Sequence, residues 1–394
     1  MPGPSQLISL KPAKLLVRGV NWLGDAVMTT PALQRLRQRF PHSQICLLTN
    51  EKLADLWQGH PAIDQILTFN GAESPWTIAG RLRGRGFDAA LILPNSPRAA
   101  LEVWLGRIPH RIGYARRWRN WFLSLPVRLP DTCMTPRRRS VREIRRLTSP
   151  AYRPPASDRH CAYRHQIHDY LQLAAALGAD PSPLPPRLEL SPGELESSVT
   201  ECLAASKHAI IRNAVVPNPI LLGLNPSAAY GPAKCWPVER YAEVMREVSK
   251  RIPSALCLVF GTASDWEICE RIVSSIAGRA VNLAGKTSLR QLMALLKQCQ
   301  VLVTNDSGPM HVAAALDTPV VVPFGSTSPE LTGPGEPGDR RHRLLRNPIP
   351  CAPCFRRTCP IDFRCMLGIS VQQMVSAVLD AVQCAGCIPK PGNS

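Results

Sequence analysis

Short runs of aliphatic and β-branched residues recur along this chain, each followed by a stretch in which apolar positions return every three or four residues. The first run, 15–20, ends in a glycine-punctuated turn, Asn21-Trp22-Leu23-Gly24-Asp25, and a helical period follows over 26–39. Runs at 45–49, 66–69 and 89–94 read as further buried strands, and 51–58 and 165–177 as helices. The segment 178–187, GADPSPLPPR, breaks any regular structure. The alternation then restarts, with strands predicted at 220–224, 256–260, 280–283, 301–303 and 320–324. Helices are predicted at 237–250, 265–276, 288–297 and 309–316, and a closing helix at 371–382. Uninterrupted apolar strands alternating with helices imply parallel sheets covered on both faces. The expected fold class is therefore α/β, two doubly wound domains whose carboxyl strand ends face a central cleft, the place where such sheets bind ligands. The expected boundaries are 1–178, with an Arg/Pro-rich insertion at about 130–159; a linker at 179–192; a second domain at 193–370; and a helix and tail at 371–394.

Composition agrees with two cores: 394 residues exceed the size at which one core usually keeps growing. The net charge of +18 calls for an anionic partner, whether nucleic acid, anionic lipid or a phosphorylated substrate. Much of it is local, since residues 107–146 hold twelve arginines against Asp131 and Glu143, an excess of +10. That stretch reads either as an anion-facing surface or as a solvated basic loop. No apolar run of about 18 residues escapes interruption, so no transmembrane helix is expected. The opening residues lack the apolar core of a signal peptide, which predicts a cytoplasmic protein. The 14 cysteines are then expected to be thiols or metal ligands rather than disulfides.

Three turns carry candidate chemistry. The strand at 220–224 runs into Asn225-Pro226-Ser227 and on to Lys234-Cys235-Trp236-Pro237. Backbone N–H groups, the Ser227 hydroxyl and the Lys234 charge suit a diphosphate, although the spacing is not that of a Walker loop. After 301–303 comes Thr304-Asn305-Asp306-Ser307-Gly308-Pro309-Met310-His311, where Asp306 and Ser307 suit either an anion pocket or ordinary helix capping. His311 suits either a site or a partly buried helix position. Asp25, at the first strand-to-helix turn, is placed either to act as a general base or to complement the helix dipole.

Together, Val20-Asn21-Trp22-Leu23-Gly24-Asp25-Ala26-Val27-Met28-Thr29-Thr30-Pro31-Ala32, Pro226-Ser227 with Lys234-Cys235-Trp236-Pro237, and Asn305-Asp306-Ser307-Gly308-Pro309-Met310-His311 resemble the ADP-heptose:lipopolysaccharide heptosyltransferases of glycosyltransferase family 9, in particular the heptosyltransferase II branch. The likeness covers about residues 14–120 and 160–385. It implies a GT-B fold of two Rossmann-like domains, an N-terminal acceptor-binding domain and a C-terminal domain holding the ADP-heptose donor. It also implies inverting transfer to the lipopolysaccharide inner core with no required cofactor. By position, Asp25 matches the catalytic base, with Asn21, Trp22 and Gly24 on the acceptor side. Ser227 and Lys234 match the diphosphate contacts; Asp306, Ser307, Gly308 and His311 match the donor-sugar and phosphate loop; Thr287 matches a segment beside the adenine. Where some members carry a glutamate for the ribose after Phe260-Gly261, this chain has Thr262-Ala263-Ser264-Asp265.

Cys351, Cys354, Cys359 and Cys365 follow C-x2-C-x4-C-x5-C, a spacing that admits zinc or an iron–sulfur cluster. The expectation is that no metal is held, with these four as the candidate set if one is. The expected partners are a nucleotide-sugar donor, the inner-core acceptor and, peripherally, the cytoplasmic face of the inner membrane; nucleic acid is not among them. Two rival readings stand beside this one: a family 9 transferase for another sugar or acceptor, and a basic nucleic-acid-binding protein.

Overall fold

The computed structural model describes residues 10–129, 136–153, 163–196, 219–276 and 278–384. The chain forms two compact units, Met1–Cys133 with Arg164–Glu189, and Met134–Tyr163 with Leu190–Ser394. The expected insertion is thus divided: its residues 130–135 and 154–159 lie outside the described residues, while 136–153 pack with the second unit.

The first unit holds a six-stranded parallel sheet of β1 (Lys14–Arg18), β2 (Gln44–Asn50), β3 (Gln65–Phe69), β4 (Ala89–Ile92), β5 (His110–Tyr114) and β6 (Leu125–Val127), in the order β3-β2-β1-β4-β5-β6. The second holds β7 (Ile220–Asn225), β8 (Ala255–Val259), β9 (Ala280–Asn282), β10 (Val301–Thr304), β11 (Val320–Phe324) and β12 (Arg343–Arg346), in the order β12-β11-β10-β7-β8-β9. Both orders are the same doubly wound pattern, in which the first and fourth strands are neighbours and the connections leave them in opposite directions. Leu15, Leu16, Val17, Val301, Leu302 and Val303 are fully buried, as strands covered on both faces require. The C-terminal helix Val371–Cys384 buries Met374, Val375 and Val378 in the second core.

The helix expected over 26–39 starts earlier and is broken: Leu23–Met28 ends at Thr29, and Thr30–Arg39 begins anew. Pro31 has no N–H to offer the Val27 carbonyl, and its ring would collide with it. The Thr30 hydroxyl donates to that carbonyl instead, at 2.9 Å. The helix expected over 51–58 is a 3₁₀ helix, Glu51–Trp57.

Within the former insertion, the helix Val141–Leu147 buries Ile144 and Leu147 against Cys351 and Cys354. Arg139 adds a backbone N–H to the Cys354 carbonyl at 3.0 Å, and its side chain donates to the Pro350 carbonyl at 2.6 Å. Arg137 pairs with Glu143. The arginine run is therefore not one surface: Arg107, Arg111, Arg116, Arg117, Arg119 and Arg128 belong to the first unit, and the six from Arg137 to Arg146 to the second. Among the described residues no helix is long and apolar enough to cross a membrane.

Candidate functional site

In the first unit, the turns leaving the neighbouring strands β1 and β4 open a cavity of ≈ 230 Å³. Asn21, Trp22 and Asp25 line it from one turn, and Asn95 and Ser96 from the other. Gly24 stands beside Asp25 in the first turn of Leu23–Met28. Trp22 is the N-cap of that helix and makes no side-chain cap bond.

A buried charge network supports these turns. Arg18, 2% exposed, reaches Glu102 Oε2 through Nε at 2.8 Å, the Gly19 carbonyl at 2.6 Å and Asn21 Oδ1 at 3.4 Å. Glu102 also receives Arg98 Nε at 3.0 Å. Burial lowers the Arg18 pKa, and the Glu102 carboxylate opposes that shift.

The helix Ile167–Ala175 and the residue before it bring groups that sequence reasoning missed: Gln166, Asp169 and Tyr170 line the same cavity, with Tyr114 from the end of β5. Burial raises the Asp169 carboxyl above its ordinary range, against the pull of Arg164 and Arg116. Burial also pushes the Tyr170 phenol well above its ordinary value, with the Asp25 charge adding to the effect and a 2.8 Å bond from Gln166 Nε2 opposing it. The Tyr114 hydroxyl donates to the Asp169 carbonyl at 2.6 Å, tying β5 to the helix. The site thus holds two partly buried carboxylates in one cavity, an arrangement that suits proton transfer to or from a hydroxyl.

In the second unit, the matching turns leave β7 and β10. Two asparagines staple them together. Asn305 Nδ2 donates to the Pro226 carbonyl at 2.6 Å, while its Oδ1 accepts from the Trp236 N–H at 3.0 Å and the Tyr241 hydroxyl at 2.7 Å. Asn225 Nδ2 reaches the Ser227 carbonyl, Thr304 Oγ1 and Ser307 Oγ at 3.1, 3.3 and 3.3 Å. Asp306, 4% exposed, accepts Lys234 Nζ and Thr327 Oγ1, each at 2.6 Å. Lys234 also lies 4.8 Å from the centre of the Tyr230 ring. Gly231, at φ +139°, is required here, since a Cβ would meet the Arg357 carbonyl oxygen at 2.7 Å.

Ser307 occupies the N-cap of Gly308–Ala315 without a side-chain cap bond. Its hydroxyl and the Asp306 carboxylate serve the two-turn network rather than the helix end. In the first turn the Gly308 and Met310 amides have no carbonyl of their own helix to bond, and Pro309 has no N–H. His311 is buried about one turn along that helix.

Thr287 is not gathered with these groups; it follows β9, two strands from β7. Its turn presses against the one after β8, where a Cβ on Gly285 would lie 2.8 Å from the Ala263 Cα. There Asp265 Oδ2 closes its own turn on the Thr262 N–H and hydroxyl, at 2.8 and 2.6 Å.

Cys351, Cys354, Cys359 and Cys365 line a recess of ≈ 10 Å³ whose other walls include Ile144, Ile349 and Ile361. Burial raises the Cys351 and Cys354 thiols and lifts Cys365 to about 12, and Cys351 and Cys354 pack with Ile144 and Leu147. Among the described residues no group of three or more histidine, cysteine or acidic side chains is arranged to hold a metal ion, and ten cysteines are free thiols.

Residues 128–363 match the model of glycosyltransferase family 9 (heptosyltransferase). Lipopolysaccharide heptosyltransferase 2 of Salmonella typhimurium is 30% identical over 342 residues, 84% of this chain and 88% of that protein. The solved structure of Escherichia coli ADP-heptose lipopolysaccharide heptosyltransferase II superposes with a TM-score of 0.72 at 25% identity, over 95% of this chain and 99% of that one. A family 9 glycosyl transferase from Veillonella parvula gives 0.72 at 22% identity over 94% and 97%, and supports the fold. The paired doubly wound sheets are those of a GT-B enzyme, and the chain belongs to glycosyltransferase family 9, the heptosyltransferase family.

Proposed function

We propose that this glycosyltransferase moves heptose from ADP-L-glycero-D-manno-heptose to the lipopolysaccharide inner core, adding the second heptose, with inversion at the anomeric carbon. The observation that carries the reading is that both switch points hold the chemistry an inverting transfer needs. One has a carboxylate, Asp25, lining a cavity sized for sugar units; the other has a fixed ammonium beside helix N–H donors. The names of the relatives supply the sugar and the acceptor.

In this mechanism Asp25 accepts the proton of an acceptor hydroxyl as its oxygen attacks the anomeric carbon opposite the departing ADP. Asn21, Trp22 and Gly24 shape the acceptor side. Charge growing on the diphosphate meets Lys234, Ser227 and the Gly308 and Met310 N–H groups, while Asp306, which pairs with Lys234, and His311 are assigned to the loop that takes the donor sugar and phosphates, and Thr287 to the adenine. Donors already fixed in place stabilise such charge without reorganising, which is the main source of electrostatic catalysis. The reaction so written requires no metal ion or cofactor beyond the donor, and the Cys351–Cys365 set has no part in it. The acceptor places the reaction at the cytoplasmic face of the inner membrane, and the basic excess is assigned to anionic acceptor and lipid rather than to nucleic acid.

The decisive assay incubates defined lipid A–Kdo acceptors, with and without a first heptose, with ADP-heptose and reads the products by mass spectrometry. One added heptose on the heptose-bearing acceptor alone is expected. Transfer only to the heptose-free acceptor, or to neither, overturns the assignment, and transfer from another nucleotide sugar identifies a family 9 enzyme of different specificity.

Lys234→Ala is expected to weaken ADP binding, measured by calorimetry, roughly ten- to a hundred-fold, because a charge-assisted hydrogen bond contributes about 1.5–3 kcal/mol. Unchanged ADP affinity in a variant that melts like the parent would remove Lys234 from the donor site.

A further inference from the structure

Five tryptophans of the first unit are exposed, Trp22, Trp76, Trp104, Trp118 and Trp121, whereas Trp57 is buried. Tryptophan is highly buried on average, and exposed apolar side chains gathered in one place mark an interaction surface, as singly scattered ones do not. Trp118 and Trp121, at 78% and 80% exposure, are the extreme cases and stand in one loop, residues 115–122, which leaves the carboxyl end of β5. Arg116 and Arg117 in that loop are exposed as well.

The loop is held firmly from below. Arg119 is fully buried and donates to the Tyr114 and Ile92 carbonyls at 2.6 and 3.1 Å. Gly113 leaves the space it needs, since a Cβ there would lie 2.6 Å from Arg119 Nη2. Asn120 Oδ1 accepts the Arg116 N–H at 2.9 Å, and the Phe122 ring packs on Trp104 with centroids 5.6 Å apart. Inward groups therefore fix the loop, while two indoles and two guanidinium groups point out. Tyr114, from which the loop departs, lines the Asp25 cavity, and Asn95 on the cavity wall lies 3.5 Å from Arg119.

We propose that loop 115–122 docks this enzyme on an anionic bilayer, with Trp118 and Trp121 entering the headgroup region and Arg116 and Arg117 binding anionic headgroups, so that the cavity beside it meets the membrane surface. The proposal rests on the reading of a lipid-linked acceptor. Indoles settle at the bilayer interface because an apolar ring and a polar N–H are both satisfied there. Basic side chains near an anionic surface add attraction that salt screens.

The test compares the parent with Arg116→Gln/Arg117→Gln and with Trp118→Asn/Trp121→Gln. Asparagine suits position 118 because its backbone is left-handed, φ +63°. Sedimentation with phosphatidylethanolamine–phosphatidylglycerol vesicles, against phosphatidylcholine vesicles, reads the partition. Each arginine is expected to contribute about five-fold, so the arginine pair loses roughly thirty-fold at low salt. The tryptophan pair is expected to lose roughly ten-fold or more at any salt. Transfer to a delipidated, water-soluble acceptor should stay at the parental rate in the tryptophan variant, whose side chains line no part of the Asp25 cavity, while KM for vesicle-embedded acceptor rises in both variants. Equal vesicle binding by parent and variants, or no binding by the parent, overturns the proposal, as does loss of transfer to the soluble acceptor in the tryptophan variant in step with vesicle binding. A parent that binds vesicles but transfers heptose to no acceptor fails the functional reading alone.

Discussion

Asp25→Asn is expected to lower kcat by roughly 10²- to 10⁴-fold, the contribution of a positioned general base. Asparagine keeps the size and hydrogen-bonding shape of the side chain and removes its basicity. ADP affinity should stay near parental, because Lys234, Asp306 and Ser307 belong to the other compact unit. The competing role for Asp25 is a negative charge in the first turn of Leu23–Met28, favourable to the helix dipole. Loss of that role would remove only about 0.3–1 kcal/mol of stability and leave the rate nearly intact. Turnover, ADP calorimetry and a thermal melt on this single variant separate the two, and near-parental turnover with a parental melt would eliminate Asp25 as the base.

The second large effect concerns stability. Glu102→Ala is expected to cost about 3–5 kcal/mol, because it leaves the Arg18 guanidinium buried without its carboxylate. Arg98, the other partner of Glu102, is 44% exposed and can turn to water, so Arg18 dominates the loss. Replacing both ends together, Arg18→Met/Glu102→Leu, should recover most of that stability, since a matched apolar pair avoids the desolvation penalty of the ions. Its activity is the informative part. Arg18 holds Asn21 Oδ1 and the Gly19 carbonyl beneath the Asp25 turn, so a double variant that is stable yet slow assigns the pair to positioning that turn. A double variant as fast as the parent reduces the pair to a packing device. Urea unfolding and steady-state rates decide between them.

Much of the architecture was legible from pattern. The strands of both sheets that carry site turns, β1, β4, β7 and β10, have apolar runs at their centres, because a parallel strand buried on both faces favours apolar side chains along its length. β5, β6 and β12 carry no such run. HRIGY, LPV and RLLR are short strands at or near the sheet edges with polar or proline positions, and only pairing with a neighbour makes them strands. The helices Pro75–Leu82 and Pro97–Leu105 did carry a signal: Ser74 and Ser96 accept N–H groups three residues on, and proline opens each helix.

The candidate site divides along the same line. The sequence alone determined which turns carry chemistry, since a strand-to-helix turn with a carboxylate, a lysine or exposed N–H groups is a local pattern readable in a few consecutive residues. Tertiary structure decided what those groups meet. Lys234 and Asp306 lie 72 residues apart in the chain, yet their side chains pair because β7 and β10 are neighbours. Asp169 joins Asp25 only because the helix Ile167–Ala175 returns to the first sheet after the chain has visited the second unit. The arginine-rich stretch, one block in sequence, is divided because Ile144 and Leu147 find apolar cover against Cys351 and Cys354 while Arg119 is drawn under β5 by backbone carbonyls. Local propensity sets the elements and their turns; which distant side chains share a site depends on burial and pairing across the sheets, interactions that no window of sequence contains.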